Sequence, residues 1–293
     1  MYSKGFLLEG FYKWLSLQNY DATSLRNDPK RLEAFLDYMH SNQAKTIEEM
    51  TAKKVISFFK LLSQTQSKRT GQMLSLATQR NYLTTINRFV RYLHQTGLGH
   101  IEVNVKFKGK STKQITVLTR AEIERLYKAS ADDMMGIRDR AILSVFYGCG
   151  LRRNEGANLK LTDVLPDKNL LYVRKAKSGK QRYVPMIGKV KKDLSNYIQT
   201  ARPMLLQKQI HDHFFVGIKG KGMQGQALYE RIKKLRVKAE LNKSFGLHSL
   251  RHSIATHLLA SGMTLAQIAK FLGHSSLEST QIYTHINETT KSI

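Results

Sequence analysis

Cysteine is almost absent from the 293-residue sequence, which contains Cys149 alone, together with four prolines and one tryptophan. One cysteine excludes an internal disulfide and a zinc site built from several thiolates. The sequence also lacks an apolar run of about 20 residues, the length that spans a bilayer. Its opening, M-Y-S-K-G-F-L-L-E-G-F, has a glutamate within a short apolar stretch and no small-residue cleavage site. We therefore expect no membrane span, no signal peptide and a reducing, cytoplasmic setting.

Acidic residues are scarce. The sequence has 22 of them against 48 lysines and arginines, a formal net charge of +26, while hydrophobic residues make up 41%. That hydrophobic fraction is enough to form buried hydrophobic cores. A surface with this excess of positive charge attracts polyanions, either nucleic acid or an acidic membrane face. No strongly amphipathic basic helix favours the membrane, so the sequence predicts a nucleic-acid partner.

The positive charge is unevenly distributed along the chain. Residues 1–104 carry a net charge of +6, and residues 105–293 carry +20. The stretch Val103–Gln114 contains four lysines and no acid, which is typical of a solvated linker. At about 150 residues per domain, the length suggests two domains. We predict a first domain over residues 1–102, a basic linker over 103–115 and a second domain over 116–293.

Helical periodicity dominates the first domain. Apolar residues recur at three- and four-residue spacing in F-L-L-E-G-F-Y-K-W-L, P-K-R-L-E-A-F-L-D-Y-M and V-I-S-F-F-K-L-L. A longer amphipathic segment, A-T-Q-R-N-Y-L-T-T-I-N-R-F-V-R-Y-L-H-Q-T, precedes Gly97. Thr46 and Glu49 have the spacing of a capping box, which predicts a helix start there. Since no strand pattern is present, we predict a bundle of about four helices.

The second domain mixes helices with a small sheet. Thr119 and Glu122 predict the capped start of a helix that continues to about Ser130, and R-D-R-A-I-L-S-V-F-Y predicts another that ends near Gly148. Two strand-like runs, L-L-Y-V-R-K-A and Q-R-Y-V-P-M, flank K-S-G-K and predict a β-hairpin. Helices dominate from Gly188 onward. The expected fold is mainly α with a small β-hairpin or sheet.

Four clusters in the second domain contain residues that are able to carry chemistry. They are G-L-R-R-N-E with Arg152 and Glu155, the hairpin turn with Lys177, H-S-L-R-H with His248 and Arg251, and L-G-H-S-S-L-E-S-T-Q-I-Y-T-H with His274 and Tyr283. Arg152 and Glu155 are three apart, so on a helix they share a face. Gly156 follows them and is expected to weaken that helix by up to about 1 kcal/mol. Each cluster alone is common, but their combination in this order is specific.

This combination resembles the tyrosine recombinase family, also called the phage integrase family, and the Xer-type recombinases in size and layout. The resemblance covers nearly the whole chain and is most specific in H-S-L-R-H-S-I-A-T-H-L-L and the segment that contains Tyr283. It implies an N-terminal helical bundle of the SAM-like core-binding type, followed by a mixed α/β catalytic domain. It also implies six catalytic residues and one supporting acid, namely Arg152, Lys177, His248, Arg251, His274 and Tyr283 with Glu155.

The implied residue types suit the cleavage of a phosphodiester, whose transition state gathers negative charge on the non-bridging oxygens. Arg152 and Arg251 offer permanently charged, forked donors to these oxygens. Tyr283 is the implied nucleophile. Because a tyrosine has a pKa near ~10 in solution, its proton must be accepted, and His248 is the candidate general base. The resulting 3′-phosphotyrosyl intermediate retains the bond energy that rejoining needs.

The remaining roles concern the leaving group and the supporting contacts. Lys177 is the candidate general acid for the departing 5′ oxygen, and Lys175 and Lys180 are the alternatives in the same turn. His274 is expected to donate a hydrogen bond to the phosphate. Glu155 is expected to orient neighbouring basic groups without touching the substrate.

We expect no cofactor, metal ion or nucleotide. The sequence has no G-x-x-x-x-G-K-[ST] loop, and a covalent intermediate needs no external energy source. His248 and His252 are four apart, but no glutamate follows His248 as in H-E-x-x-H. His211 and His213 form an isolated His-x-His and make a weak metal candidate.

The resemblance implies double-stranded DNA as the partner, with a dimer on each site and a tetrameric synapse that exchanges strands through a Holliday junction. A second recombinase as an additional partner stays open, and no membrane partner is expected. Two alternative functions also stay open. T-L-A-Q-I-A-K-F-L-G is similar to the opening of a helix-turn-helix, which would suit a non-enzymatic DNA-binding protein. A type IB topoisomerase uses much the same groups without sequence specificity.

Overall fold

The computed structural model describes residues 2–67, 70–107, 116–174 and 181–274. The chain divides into two compact units, Met1–Lys113 and Gln114–Ile293. Within the described ranges, no helix is both long enough and apolar enough to cross a membrane.

The described residues of the N-terminal unit form a bundle of four helices, as the periodicity predicts. Each helix begins after a serine, threonine or aspartate whose side-chain oxygen accepts a backbone N–H of the first turn, a cap worth about 1 kcal/mol. The apolar stripes bury Phe11, Phe35, Phe58 and Phe89 in one core. The helices are α1 (Lys4–Leu17), α2 (Ala22–Ser41), α3 (Ala52–Gln64) and α4 (Leu76–Gln95).

The helix start predicted at Thr46 and Glu49 is wrong. The Glu49 carboxylate does accept the Thr46 backbone N–H at 3.4 Å, but this contact closes a turn and no helix begins there. The helix α3 begins instead at Ala52, where the Thr51 hydroxyl caps the first turn. A capping box stabilises a helix only where the following residues continue it, and the periodic apolar residues start after Thr51.

The first part of the predicted linker packs on the N-terminal unit. Val103, Val105 and Phe107 contact its core, and the Phe107 and Phe59 rings meet edge to face with centroids 5.5 Å apart. These apolar side chains gain free energy from burial that a fully solvated linker would lose. Residues 108–115, which carry three of the four linker lysines, lie outside the described residues, and the domain boundaries stay a prediction.

The second unit combines helices with a three-stranded sheet, which confirms the mainly α fold with a small sheet. Thr119 and Glu122 form the predicted capping box at the first of these helices. The helices are α5 (Arg120–Lys128), α6 (Met134–Leu143), α7 (Arg153–Ala157), α8 (Lys189–Asn196), α9 (Arg202–Leu206), α10 (Gly225–Lys238), α11 (Leu247–Ala260) and α12 (Leu265–Leu272). A π-helical turn, Ser144–Gly148, extends α6.

The sheet is antiparallel, and its two longer strands are those that the hairpin pattern predicts. Its order is β1 (Val164–Leu165), β2 (Leu170–Val173) and β3 (Arg182–Pro185). Leu171 pairs with Val184 across the two longer strands. The strand β1 has two residues, too few for alternation to be recognised, so the sequence does not predict it. Arg182 and Val184 share the buried face of β3, which places an arginine against the core.

A sharp turn at Gly150 brings α7 close to α12. Gly150 has a φ of +63°, a conformation that favours glycine, and a Cβ there would lie 2.8 Å from the Leu272 side chain. The helix α11 packs against the π-helical turn and against α12. The start of α7, the helix α11 and the end of α12 therefore meet at one place.

Candidate active site

Arg152 lies immediately before α7. Its backbone is extended (φ −71°, ψ 155°), and it occupies the N-cap position. One Glu155 carboxylate oxygen accepts the Arg152 backbone N–H at 2.8 Å, and the other accepts Nη1 of the guanidinium at 2.9 Å. The expectation that the two residues share a helix face is therefore corrected, because the three-residue spacing here caps a helix start.

Gly156 is required by packing. A Cβ at this position would lie 2.4 Å from the ring of Phe146, which is fully buried in the core. The expected helix-propensity cost of this glycine stays a prediction, and the structure adds a packing requirement to it. A close approach of α7 to Phe146 requires glycine and outweighs a helix-propensity cost of about 1 kcal/mol.

The Glu155 carboxylate lies among three guanidiniums. Its side chain is 2% exposed, and its oxygens lie 2.9 Å from Arg152, 3.0 Å from Arg182 and 3.8 Å from Arg251. Burial alone raises the pKa of this carboxyl, but hydrogen bonds to Arg182 and Arg152 outweigh burial and lower the pKa to about 2. Glu155 is therefore ionised at neutral pH and balances part of the positive charge around it.

The same three arginines bind the C-terminal end of α12. The hydrogen bonds run from Arg182 Nε to the Phe271 carbonyl (2.9 Å), from Arg251 Nη2 to the Leu272 carbonyl (2.7 Å) and from Arg152 Nη2 to the Gly273 carbonyl (3.2 Å). The last carbonyls of a helix lack partners within the helix and carry partial negative charge. The guanidiniums satisfy these carbonyls and so fix the backbone that immediately precedes His274.

Two of the predicted histidines belong to the same cluster. His248 keeps an exposed side chain, and partial desolvation of its ring, followed by the positive charges of Arg251 and Arg152, lowers its pKa. Burial and the same two arginines lower the pKa of His274 to about 4. Both imidazoles are therefore neutral at neutral pH. A neutral imidazole has one nitrogen that accepts a proton and one that donates a hydrogen bond.

The structure thus brings together five of the seven residues that the sequence predicts, namely Arg152, Glu155, His248, Arg251 and His274. Lys177 and Tyr283 lie outside the described residues, so their placement stays a prediction.

Sequence analysis does not assign two further residues to this cluster, Arg182 and His252. Arg182 contacts Glu155, and the His252 ring lies against the His248 ring with centroids 4.3 Å apart. Burial, followed by the electrostatic influence of the neighbouring His248 and Arg251, lowers the pKa of His252 to about 4. The sequence contains a pattern that could have identified each of these two residues. Arg182 alternates in phase with the apolar side of its strand, and His252 follows His248 by about one helical turn.

Among the described residues, no group of three or more histidine, cysteine or acidic side chains is arranged to hold a metal ion. In the His211 and His213 pair, Nε2 of His211 lies 2.7 Å from the Gly220 carbonyl. That nitrogen is occupied by a hydrogen bond to the backbone.

Three comparisons relate this geometry to known proteins. The model of the phage integrase family matches residues 116–290. The tyrosine recombinase XerC of Oceanobacillus iheyensis is 31% identical over 290 residues, which cover 96% of this chain and 92% of the relative. The tyrosine recombinase XerD of Staphylococcus saprophyticus is 40% identical over 153 residues, 52% of each chain. The crystal structure of XerH bound to its difH substrate aligns with a TM-score of 0.73 at 22% identity, covering 100% of this chain and 84% of the other.

Proposed function

Because the chain belongs to the phage integrase family, we infer that it is a tyrosine-type site-specific recombinase that cuts and rejoins DNA through a 3′-phosphotyrosyl intermediate. The observation that supports this inference best is that Arg152 and Arg251 lie around one ionised carboxylate, and that both arginines act electrostatically on His248 and His274. Positive charge and neutral imidazoles in one cluster suit a reaction that adds negative charge to a phosphate.

The two arginines are proposed to bind the non-bridging oxygens of the scissile phosphate. The Arg251 side chain is 1% exposed, and its Nη1 and Nη2 donate to the carbonyls of Gly150 and Leu272. These bonds fix the plane of the guanidinium. The Arg152 side chain is 27% exposed and is oriented by Glu155. Preorganised donors stabilise developing charge without the cost of reorganisation during the reaction.

The histidines are proposed to manage protons at the same phosphate. Neutral His248 accepts the Tyr283 proton as the phenol attacks phosphorus, and His274 donates a hydrogen bond to a phosphate oxygen. Lys177 protonates the departing 5′ oxygen. In the reverse step the 5′ hydroxyl attacks the phosphotyrosine, so no external energy source is needed. Lys177 and Tyr283 carry these roles on the strength of the family resemblance.

The pH dependence of cleavage tests the role of His248. A base must be unprotonated, and partial desolvation with the neighbouring arginines lowers the pKa of His248 below its usual 6.5. We therefore expect the cleavage rate at limiting DNA, which reports the free enzyme, to fall to half its plateau at a pH below 6.5. DNA affinity measured at each pH separates binding from chemistry.

His257 supplies a matched control for this pH profile. It is a half-buried histidine of the same unit that also has a lowered pKa, and its Nδ1 bonds the Tyr147 hydroxyl at 2.8 Å. A His257→Gln variant is expected to keep the wild-type profile. A rate that already halves above pH 6.5 in the wild-type protein contradicts the assignment of His248 as the base.

The partners are proposed from the charge and the family. Double-stranded DNA suits a net charge of +26, and the relative XerH was crystallised with its difH substrate. We assign DNA gripping to residues 1–102, a connecting role to 103–115 and catalysis to 116–293. A dimer on each site, a tetrameric synapse and action in the cytoplasm complete the proposal.

A covalent trap tests the proposed function. The binding site is first identified from the duplexes that the protein retains out of a random-sequence library. A nick placed near the cleavage position then lets the short fragment that carries the free 5′ hydroxyl diffuse away, so rejoining cannot occur. We expect a protein–DNA adduct that survives denaturation. Specific binding without any adduct would favour the non-enzymatic alternative. Adducts at scattered positions, with relaxation of supercoiled DNA that lacks the site, would favour a type IB topoisomerase.

A further inference from the structure

Arg182 is a buried arginine that has no assigned part in the reaction proposed above. Its side chain is 7% exposed, and it lies on the core-facing side of β3 in phase with Val184. Placing a charged side chain in a core costs free energy unless every charge and donor is paired. Its partners therefore indicate what the residue does.

Its partners come from two separate parts of the fold. Nη1 and Nη2 donate to the two Glu155 carboxylate oxygens at 3.3 and 3.0 Å, and Nε donates to the Phe271 carbonyl at 2.9 Å. One planar guanidinium thus joins the start of α7 to the end of α12. In the sequence, the strand β3 follows the segment that contains Lys177.

The backbone at the end of α12 is shaped around this guanidinium. Gly273 has a φ of +66°, and a Cβ at this position would lie 2.7 Å from Nη1 and 3.0 Å from Cδ of Arg182. Any other residue would be strained by its φ and would collide with Arg182. The residue immediately before His274 therefore rests directly on the Arg182 side chain.

We propose that Arg182 is a positioning residue for the strand-transfer reaction. It holds the end of α12, and with it the backbone that precedes His274, in place relative to the carboxylate that orients Arg152. Arg182 acts through these residues and makes no contact with the phosphate. This inference rests on the proposed recombinase function.

A lysine at position 182 cannot make the same contacts as Arg182. A guanidinium presents donors in a rigid fork that bonds a carboxylate and a carbonyl at the same time, whereas an ammonium is a compact point charge. Arg182→Lys therefore keeps the charge beside Glu155 but loses the fixed distance between α7 and α12. Arg182→Met keeps the length of the side chain but loses both the charge beside Glu155 and the fixed distance between α7 and α12.

The test compares these variants on the nicked duplex selected from the random library. At saturating duplex, we expect Arg182→Met to form the adduct about 10- to 100-fold more slowly than wild type, the scale of a small misplacement of reacting groups. The rate of adduct formation by Arg182→Lys is expected to lie between those of the wild type and Arg182→Met. Because the proposed role is in catalysis, duplex affinity is expected to change by less than about threefold.

Arg231 provides the matched control. It is an arginine of the same unit whose Nε donates to a second buried acid, Asp139, at 2.9 Å, and the pair joins α10 to α6. Arg231→Met is expected to keep the wild-type rate. An Arg182→Met rate within twofold of wild type, or an equal loss in Arg231→Met, overturns the proposal.

Two further measurements cover the cases in which Arg182→Met fails to fold or the wild-type protein forms no adduct. If Arg182→Met fails to fold, Gly273→Ala, which keeps the arginine and displaces it, must show the rate loss at unchanged affinity, or the proposal falls. If the wild-type protein itself forms no adduct, the recombinase function is overturned. A wild-type adduct with an unaffected Arg182→Met variant overturns only the role of Arg182.

Discussion

A Tyr283→Phe variant is expected to bind the selected duplex as tightly as the wild-type protein and to form no covalent adduct. The substitution removes one oxygen, the atom that attacks phosphorus, and leaves the ring. Loss of a catalytic nucleophile costs roughly a million-fold in rate, which lies below detection in a trapping assay. The measurement is the fraction of duplex that migrates with protein after denaturation, alongside affinity from the anisotropy of a labelled duplex.

The control for this prediction is a second tyrosine. Tyr12 on α1 is 47% exposed and belongs to the N-terminal unit, so Tyr12→Phe is expected to leave the adduct yield unchanged. An adduct in Tyr283→Phe would show that another side chain attacks. In that case the assignment of the nucleophile fails while the recombinase function stands.

Local sequence patterns predict most of the fold because helices are formed by contacts between near neighbours. The apolar spacing identifies α1, α3 and α4, and the alternation around K-S-G-K identifies β2 and β3. Prediction fails at Thr46, where a local motif occurs without the helix that it usually begins. A cap contributes about 1 kcal/mol, so packing of the surrounding residues decides whether the helix forms.

The candidate site shows the same difference between what local sequence patterns predict and what depends on packing. Residue types and their order lead to Arg152, Glu155, His248, Arg251 and His274, and the fold brings them together. The roles of Gly156 and Arg182 could not be predicted, because each depends on a partner in another structural element. Phe146 requires the glycine, and Glu155 with the end of α12 requires the arginine. Alternation shows that Arg182 faces inward, but only the fold shows what it meets.

A Glu155→Gln variant is expected to lose about 3–5 kcal/mol of the free energy of unfolding of the second unit, the cost of breaking a buried ion pair. Glutamine keeps the shape of the side chain but leaves Arg152, Arg182 and Arg251 close together without a counter-charge. The remaining acceptors, the carbonyls at the end of α12, are neutral. Adduct formation should fall as well, because the Arg152 guanidinium loses its orienting partner.

The single tryptophan makes the two units separable in an unfolding experiment. Trp14 is buried in the N-terminal core, so its fluorescence follows that unit, while circular dichroism follows both. Glu155→Gln should shift the dichroism transition and leave the Trp14 transition in place. Asp28 is the reciprocal control. It is buried between Arg31 and Arg88 in the N-terminal unit, and Asp28→Asn should shift the Trp14 transition.

Acid titration provides the sharpest check on Glu155. Its pKa is about 2 in the folded protein against a usual 4.5, so the folded state favours the ionised form. The stability that it contributes is therefore fully present above about pH 4.5 and is lost as the pH falls toward 2, an amount of about 3 kcal/mol. The stability difference between wild type and Glu155→Gln should shrink over this window. A difference that stays constant from pH 5 to pH 3 would show that Glu155 acts by packing, and that its charge does not organise the three arginines.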